Sequence, residues 1–325
     1  MLINVASLNI CTFFPVIWGA PIHVEQPDRG DDELIEFYLE RKISEKIQTF
    51  KTGLDKIVNS KVRCGECLFF TLPEFFWNVS PYAIWSKDDL AYMAEYYMNT
   101  LPKIVANIIN NYPVEDFGKV ILLSGTAGTL IETSNNYDAI NYLLAIDNFN
   151  FNNDGSHSIS MWPKTEVALF DYGYASSAGD PITFLLGKPG RSFNIRVNAN
   201  GDSYAEHNAN SGYGPSFDNE ILQEIPFAIS LCADYSNNLD FRQNEWLDKN
   251  PKIHFLIACG MSLSISKEYN ASVQFAIRND GFNGSEYEPV AGGSEVKVVE
   301  FGHITQDIAP ISIDNDLYLY EINVL

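Results

Sequence analysis

The sequence predicts a layered α/β fold, on three observations. Amphipathic helical stretches fall in the first third of the chain and again after residue 237. Short apolar runs of strand length recur from one end to the other. No linker or composition shift divides the 325 residues, so 1–325 is expected to form one domain in which helices cover sheets. Nearly half of the residues (46%) are apolar and 13% are aromatic, enough material for a large core.

Residues 2–10 (LINVASLNI) alternate well enough for a first strand. The stretch 2–22 is largely apolar, but a secretory leader begins with basic residues and the first basic side chain here is Arg29. The strand reading is therefore preferred. Leu34, Ile35, Tyr38, Leu39, Ile43, Ile47, Phe50, Leu54 and Ile57 recur at helical spacing with charges between them, which predicts an amphipathic helix over 31–59. ECLFFTL (66–72) reads as a buried strand ending at Pro73. Ser86-Lys87-Asp88-Asp89 is a capping signal for a helix that Pro102 interrupts or restarts before Tyr112. KVILLSG (119–125) and INYLLAI (140–146) are strands, with Gly125-Thr126-Ala127-Gly128 read as a tight turn after the first.

The stretch 147–220 is rich in Gly, Asn, Ser and Pro and reads as loops around two strand candidates, EVALFDY (166–172) and ITFLL (182–186). IPFAISL (225–231) and IHFLIAC (253–259) are strands flanking a helix-like NLDFRQNEWLD (238–248). SVQFAI (272–277), EVKVVEF (295–301) and LYLYEINV (317–324) complete the set.

The charge balance, 42 acidic against 21 basic residues, gives a formal net charge of −21. A surface of that sign repels phosphate backbones, so no nucleic-acid partner is expected. No apolar run reaches the ~18 residues of a membrane span, so no membrane partner is expected either. Five cysteines, an odd number in a long chain, fit free thiols in a reducing, cytoplasmic compartment better than a disulfide framework.

Three segments carry candidate chemistry. Ile229-Ser230-Leu231-Cys232-Ala233-Asp234 places a cysteine between a buried strand and a predicted helix. There, free backbone N–H groups favour a thiolate and can hold an oxyanion. The same segment fits a buried structural cysteine. Leu72-Pro73-Glu74-Phe75-Phe76-Trp77 sets a carboxylate beyond a strand end among aromatics, surroundings that raise its pKa toward the range of a general base. An ordinary turn Glu fits too. Trp162-Pro163-Lys164-Thr165 offers a fixed cation beside an aromatic corner, able to hold an oxyanion and lower a thiol's pKa, or a snorkelling lysine. Trp77, Tyr82 and Trp85 are candidates for a pocket wall or for core packing. Cys64-Gly65-Glu66-Cys67 has CxxC spacing without a second metal-ligating pair.

Glu, Lys and Cys in that chain order, each at a strand end, resemble the triad of the nitrilase (carbon–nitrogen hydrolase) superfamily. FFTLPEFF is similar to its Glu motif and SLCADY to its Cys motif. INVASLNI is similar to its opening strand, and VILLSGTAGT with NNYDAINYLLAID to its strand pair before the lysine. HFLIACGMS is similar to the strand after the cysteine, and the tail 301–324 to the closing strands.

The resemblance implies a four-layer αββα sandwich, with Glu74 as general base, Cys232 as nucleophile and Lys164 as oxyanion stabiliser beside the backbone N–H of Ala233. It implies Glu166 as a second active-site carboxylate, Trp77 as a pocket residue, no metal or organic cofactor, and a homo-oligomer, commonly a dimer. Asp234, two residues after the cysteine, points to the amidase-like branch and a small-molecule linear amide as substrate. The chain departs from the pattern at Tyr235-Ser236-Asn237-Asn238, where Pro-Glu is common, and around the lysine, where Lys188 is the fallback. An acyltransferase using the same thioester, with an acceptor site built by 173–220, and a catalytically decayed binding protein are the alternatives.

Overall fold

Each of the longest apolar runs is buried on both faces, and that explains why they read as continuous rather than alternating patterns. The computed structural model describes residues 1–12, 28–164, 166–169, 171–177, 179–198, 226–236, 250–285, 288–290 and 293–325. The strands are β1 (Leu2–Leu8), β2 (Cys67–Leu72), β3 (Lys119–Glu132), β4 (Tyr137–Phe151), β5 (His157–Pro163), β6 (Tyr174–Ser177), β7 (Ile182–Leu186), β8 (Phe193–Asn198) and β9 (Phe227–Leu231). They continue with β10 (Ile253–Ala258), β11 (Phe275–Asp280), β12 (Asn283–Ser285), β13 (Glu288–Val290), β14 (Gly293–Glu300), β15 (His303–Ile308), β16 (Ile311–Asp314) and β17 (Leu317–Asn323).

Among the described residues these build a ten-stranded sheet ordered β16-β17-β1-β2-β3-β4-β8-β7-β6, with β5 also on β4, a five-stranded sheet ordered β15-β14-β11-β10-β9, and a two-stranded ribbon of β12 and β13. The first and last strands pair antiparallel, from Leu2 opposite Asn323 to Leu8 opposite Leu317.

The sheets lie face to face. Ile3, Val5, Phe69, Ile121, Leu123, Leu143 and Ala145 from the first meet Phe227, Ile229, Phe255, Ile257 and Ile277 from the second in one apolar layer. Phe69, Phe227 and Phe255 form its aromatic centre, with ring centroids 4.9–5.8 Å apart. The opposite face of the large sheet carries α1 (Ile35–Val58), α2 (Lys87–Glu95) and α3 (Leu101–Ile109), burying Tyr38, Phe50, Leu90, Val105 and Ile109 against Phe70, Leu122, Tyr142 and Leu144. A four-residue helix, α4 (Val114–Phe117), leads into β3. The outer face of the small sheet carries α5 (Ala233–Ser236) and the segment 261–273. This is the mixed α/β sandwich expected from the sequence; the helix expected over 238–248 lies outside the described residues.

Local signals resolve as chemistry dictates. Ser86 caps α2, its hydroxyl accepting from the Asp89 N–H at 3.1 Å. Pro102, which has no N–H to donate, sits in the first turn of α3 directly after a π-helical turn over Tyr96–Thr100. Two expectations are corrected. Gly125–Gly128 is not a turn after a strand: β3 runs through it to Glu132, with a register break between Leu123 and Thr126. The described residues of 166–172 form no strand but curl into a loop, closed by the Asp171 N–H on the Ala168 carbonyl at 3.1 Å.

Candidate active site

The turn after β2 sets Glu74 just past the C-terminal end of that central strand, and the break in β3 holds the turn. Phe75 N–H donates to Thr126 Oγ1 at 2.9 Å and Trp77 N–H to the Thr126 carbonyl at 3.2 Å. The Trp77 indole N–H reaches the Ser124 carbonyl at 2.7 Å. Asn78 exchanges two hydrogen bonds with the Gly128 backbone, at 2.7 and 2.8 Å. At Gly125, with φ +72°, a Cβ would stand 2.7 Å from both the Pro73 carbonyl oxygen and Phe76 Cβ, so the close approach of turn and strand requires glycine. From the other side Thr12 donates its hydroxyl to the Glu74 carbonyl at 2.6 Å.

Lys164 follows β5, its backbone N–H tied to the Asn141 carbonyl at 2.7 Å. Its side chain is fully buried, with Nζ 3.0 Å from Glu74 Oε1 and 2.9 and 2.8 Å from the two oxygens of Asp171. The ammonium lies 5.6 Å from the Phe75 ring centroid. Asn141 Nδ2 donates to the same Glu74 oxygen at 2.9 Å. Glu74 Oε2 is buried and holds no N–H or O–H donor, which leaves a basic oxygen open.

Cys232 occupies the elbow between β9 and α5. It is buried and takes φ +43°, a region unfavourable for a residue with a Cβ. Its N–H donates to the Ile257 carbonyl at 3.0 Å and its carbonyl accepts from Tyr235 N–H at 2.9 Å. The thiol donates to the Cys259 carbonyl oxygen at 3.6 Å and lies within electrostatic reach of Glu74 and Lys164. Phe75, on the opposing turn, also has a positive φ of +59°. Strained backbone thus flanks the meeting point of base and thiol from both sides.

In this buried pocket one ammonium, Lys164, faces two carboxyl groups, Glu74 and Asp171. Burial pushes the Glu74 carboxyl up to about 7; Lys164 opposes that shift and Asp171 adds to it. Burial works against the charge on Lys164, but Asp171 and then Glu74 outweigh it and hold its pKa well above the ordinary lysine value. Burial, then Glu74, raises the Cys232 thiol well above its usual range, with Lys164 pulling the other way. Burial and Glu74 thus favour the thiol over the thiolate, against the lysine's effect expected from the sequence.

The structure thus brings Glu74, Lys164 and Cys232 together. Glu166 enters through its backbone: its N–H donates to buried Asp234 at 3.0 Å, tying the lysine loop to the cysteine elbow. The second carboxylate on Lys164 is Asp171, missed because 166–172 has the composition of a strand. Asn141 was missed because it sits inside an apolar run. Ala233 opens α5 directly after the thiol, where its main chain was expected. Trp77, expected at a pocket, is fully buried in the helix-side core, 6.0 Å from the Phe50 ring with its N–H satisfied.

The fallback lysine, Lys188, pairs with Asp31 and stacks 4.2 Å from Trp85, among different partners. The CxxC cysteines diverge: Cys64 is exposed with its Sγ 2.9 Å from Glu321 Oε1, while Cys67 is packed between the sheets. None of the five cysteines forms a disulfide, and no group of His, Cys, Asp and Glu among the described residues has the makings of a metal site.

No family model matches the chain, and no curated protein matches it. Among solved structures it is similar to a carbon-nitrogen hydrolase from Helicobacter pylori G27, at 11% identity, with 98% of this chain and 88% of that chain covered and a TM-score of 0.41. A likeness of that size carries no argument about fold or function; the chemistry rests on the side chains.

Proposed function

We propose that the chain hydrolyses a carbon–nitrogen bond, with a linear amide as substrate, through a thioester on Cys232. The observation that supports this reading is the buried group of Glu74, Lys164 and Asp171 beside Cys232, in which one ammonium bridges two carboxyls and one oxygen of Glu74 has no hydrogen-bond partner. Cys232 Sγ attacks the carbonyl carbon as its proton passes to Glu74. The S–C bond forms and the carbonyl oxygen takes up negative charge. Lys164 already faces three carboxylate oxygens, so it acts on that charge through its field rather than as a spare donor. Protonated Glu74 then delivers its proton to the nitrogen, the C–N bond breaks, and ammonia or an amine departs. Water, deprotonated by Glu74, attacks the thioester; the acid leaves and the proton returns to sulfur. Asp171 keeps Lys164 charged and oriented, and Asn141 fixes one oxygen of Glu74 so that the other is free for proton transfer.

Capture of the same thioester by an amine is the second reading. The segment 174–198 adds β6, β7 and β8 to the edge of the large sheet beyond β4, a substantial addition close to the lysine loop. A panel of short linear amides, followed for ammonia release with and without hydroxylamine, tests both readings. Hydrolysis predicts release that is lost in Cys232→Ser, with acid as the main product when hydroxylamine is scarce. Hydroxamate exceeding acid at low hydroxylamine favours transfer. Absence of turnover across the panel, with Cys232 unmodified throughout, counts against both.

A further inference from the structure

We infer that Tyr235 is a positioning residue for the nucleophile, locked by a clamp formed from Tyr269, Ser264 and Lys267; this rests on the reading of Cys232 as the reacting group. Cys232 is held at φ +43°, and a non-glycine residue keeps such a conformation only where its surroundings over-determine it. Three residues onward, the clamp supplies that restraint. Tyr235 N–H closes the elbow on the Cys232 carbonyl at 2.9 Å. Its hydroxyl shares a 2.6 Å hydrogen bond with the Tyr269 hydroxyl and accepts from Ser264 N–H at 3.0 Å. Lys267 donates to the Tyr235 carbonyl and stands 3.8 Å from the centre of its ring. One short segment therefore grips Tyr235 at the main chain, the ring face and the hydroxyl.

The rest of the surroundings are equally fixed. Tyr235 and Tyr269 are both buried, and the His254 ring packs edge-on against the two at 5.9 and 5.7 Å. His254 in turn holds Ser230, two residues before the nucleophile, at 2.8 Å. A four-residue helix has too few internal hydrogen bonds to hold an elbow by itself, since its first N–H and last C=O groups lack partners within it. Tying Tyr235 to 264–269 fixes the turn against the second sheet. The Cys232 sulfur is thereby kept facing Glu74, and the Ala233 main chain keeps its place behind it.

Iodoacetamide, with modification at Cys232 read by peptide mass spectrometry, tests this without a known substrate. Tyr235→Phe and Tyr269→Phe keep the rings and remove the clamp's hydroxyls one at a time; Lys267→Met removes the cation and Lys267→Arg restores it. At a temperature well below each variant's unfolding transition, the hydroxyl-deleted and Met variants are expected to alkylate Cys232 about three- to tenfold more slowly than wild type, the range of one hydrogen bond. Lys267→Arg is expected to recover most of that rate, a rescue that a loss of bulk stability does not predict. If Tyr235→Phe does not fold, Tyr269→Phe reports on the same bond from its other end. Wild-type rates in all folded variants overturn the clamp while leaving the nucleophile intact. A wild-type Cys232 that reacts no faster than exposed Cys64 overturns the reading of the site itself.

Discussion

Glu74 has one oxygen occupied by Lys164 and Asn141 and the other without a hydrogen-bond partner, and its carboxyl is raised to about 7, first by burial. The proposed mechanism uses its ionised form, so the acylation rate is expected to rise with pH and level off above about 7; a plateau already complete at pH 5 contradicts the assignment. Stability runs the opposite way. The folded carboxyl titrates above its unfolded value, so its contribution is complete below the unfolded value near 4.5 and is lost as pH rises through about 7. Glu74→Gln removes proton transfer while keeping the bulk, and should cut acylation of Cys232 by about 10²–10⁴-fold, the usual reach of general acid–base catalysis. Single-turnover rates above pH 8 provide the check.

Single residues also show where sequence reasoning stops. The placement of Glu74 and Cys232 was legible because each follows an apolar run that reads as a buried strand, while their joint role came from the resemblance of their motifs to a known family. Lys164 was legible through the aromatic-Pro corner before it. Asp171 was not, because its contact with Lys164 depends on a loop turning back within seven positions, and that reversal leaves no periodic trace. Trp77 was misplaced because a turn residue's inward or outward direction is decided by the strand beneath it, here through Ser124.

At the level of elements, the irregular stretch of β3 is what connects fold to site. The register break between Leu123 and Thr126 lets Gly125 approach the Pro73 turn and frees Thr126 to bind Phe75 and Trp77. Gly125→Ala puts a Cβ 2.7 Å from backbone and imposes an unfavourable φ. We expect a loss of about 1–3 kcal/mol in urea unfolding, with a larger drop in acylation than stability alone explains, because the Glu74 turn must shift. Full activity in a folded Gly125→Ala enzyme would show that the turn tolerates displacement. The strand order itself was visible only in part: apolar runs announce strands, but the parallel pairing of β4 with β8 depends on Tyr137 meeting Val197 across 60 residues, which no local pattern encodes.

For the whole molecule, the apolar layer between sheets holds the two halves of the site in register, since Glu74 and Lys164 come from the large sheet and Cys232 from the small one. Phe255 lies at its centre, fully buried between Phe69 and Phe227. Phe255→Ala should cost about 3–5 kcal/mol, seen as a lower urea midpoint in a single transition reported alike by far-UV and near-UV signals. A cost below about 1 kcal/mol would mean that the sheets meet less closely than described. Among the described residues no helix is long and apolar enough to cross a membrane.

The most direct test of the central claim is acylation of the thiol itself. The folded protein is mixed with limiting p-nitrophenyl acetate at pH 8, quenched in acid and digested, and the acetylated cysteine is identified by peptide mass spectrometry. The account predicts acetyl on Cys232, formed in a burst, slowed in Glu74→Gln and Lys164→Met, and released by water over time. Acetyl on Cys64 with Cys232 untouched, or labelling of Cys232 that is indifferent to Glu74 and Lys164, would contradict it.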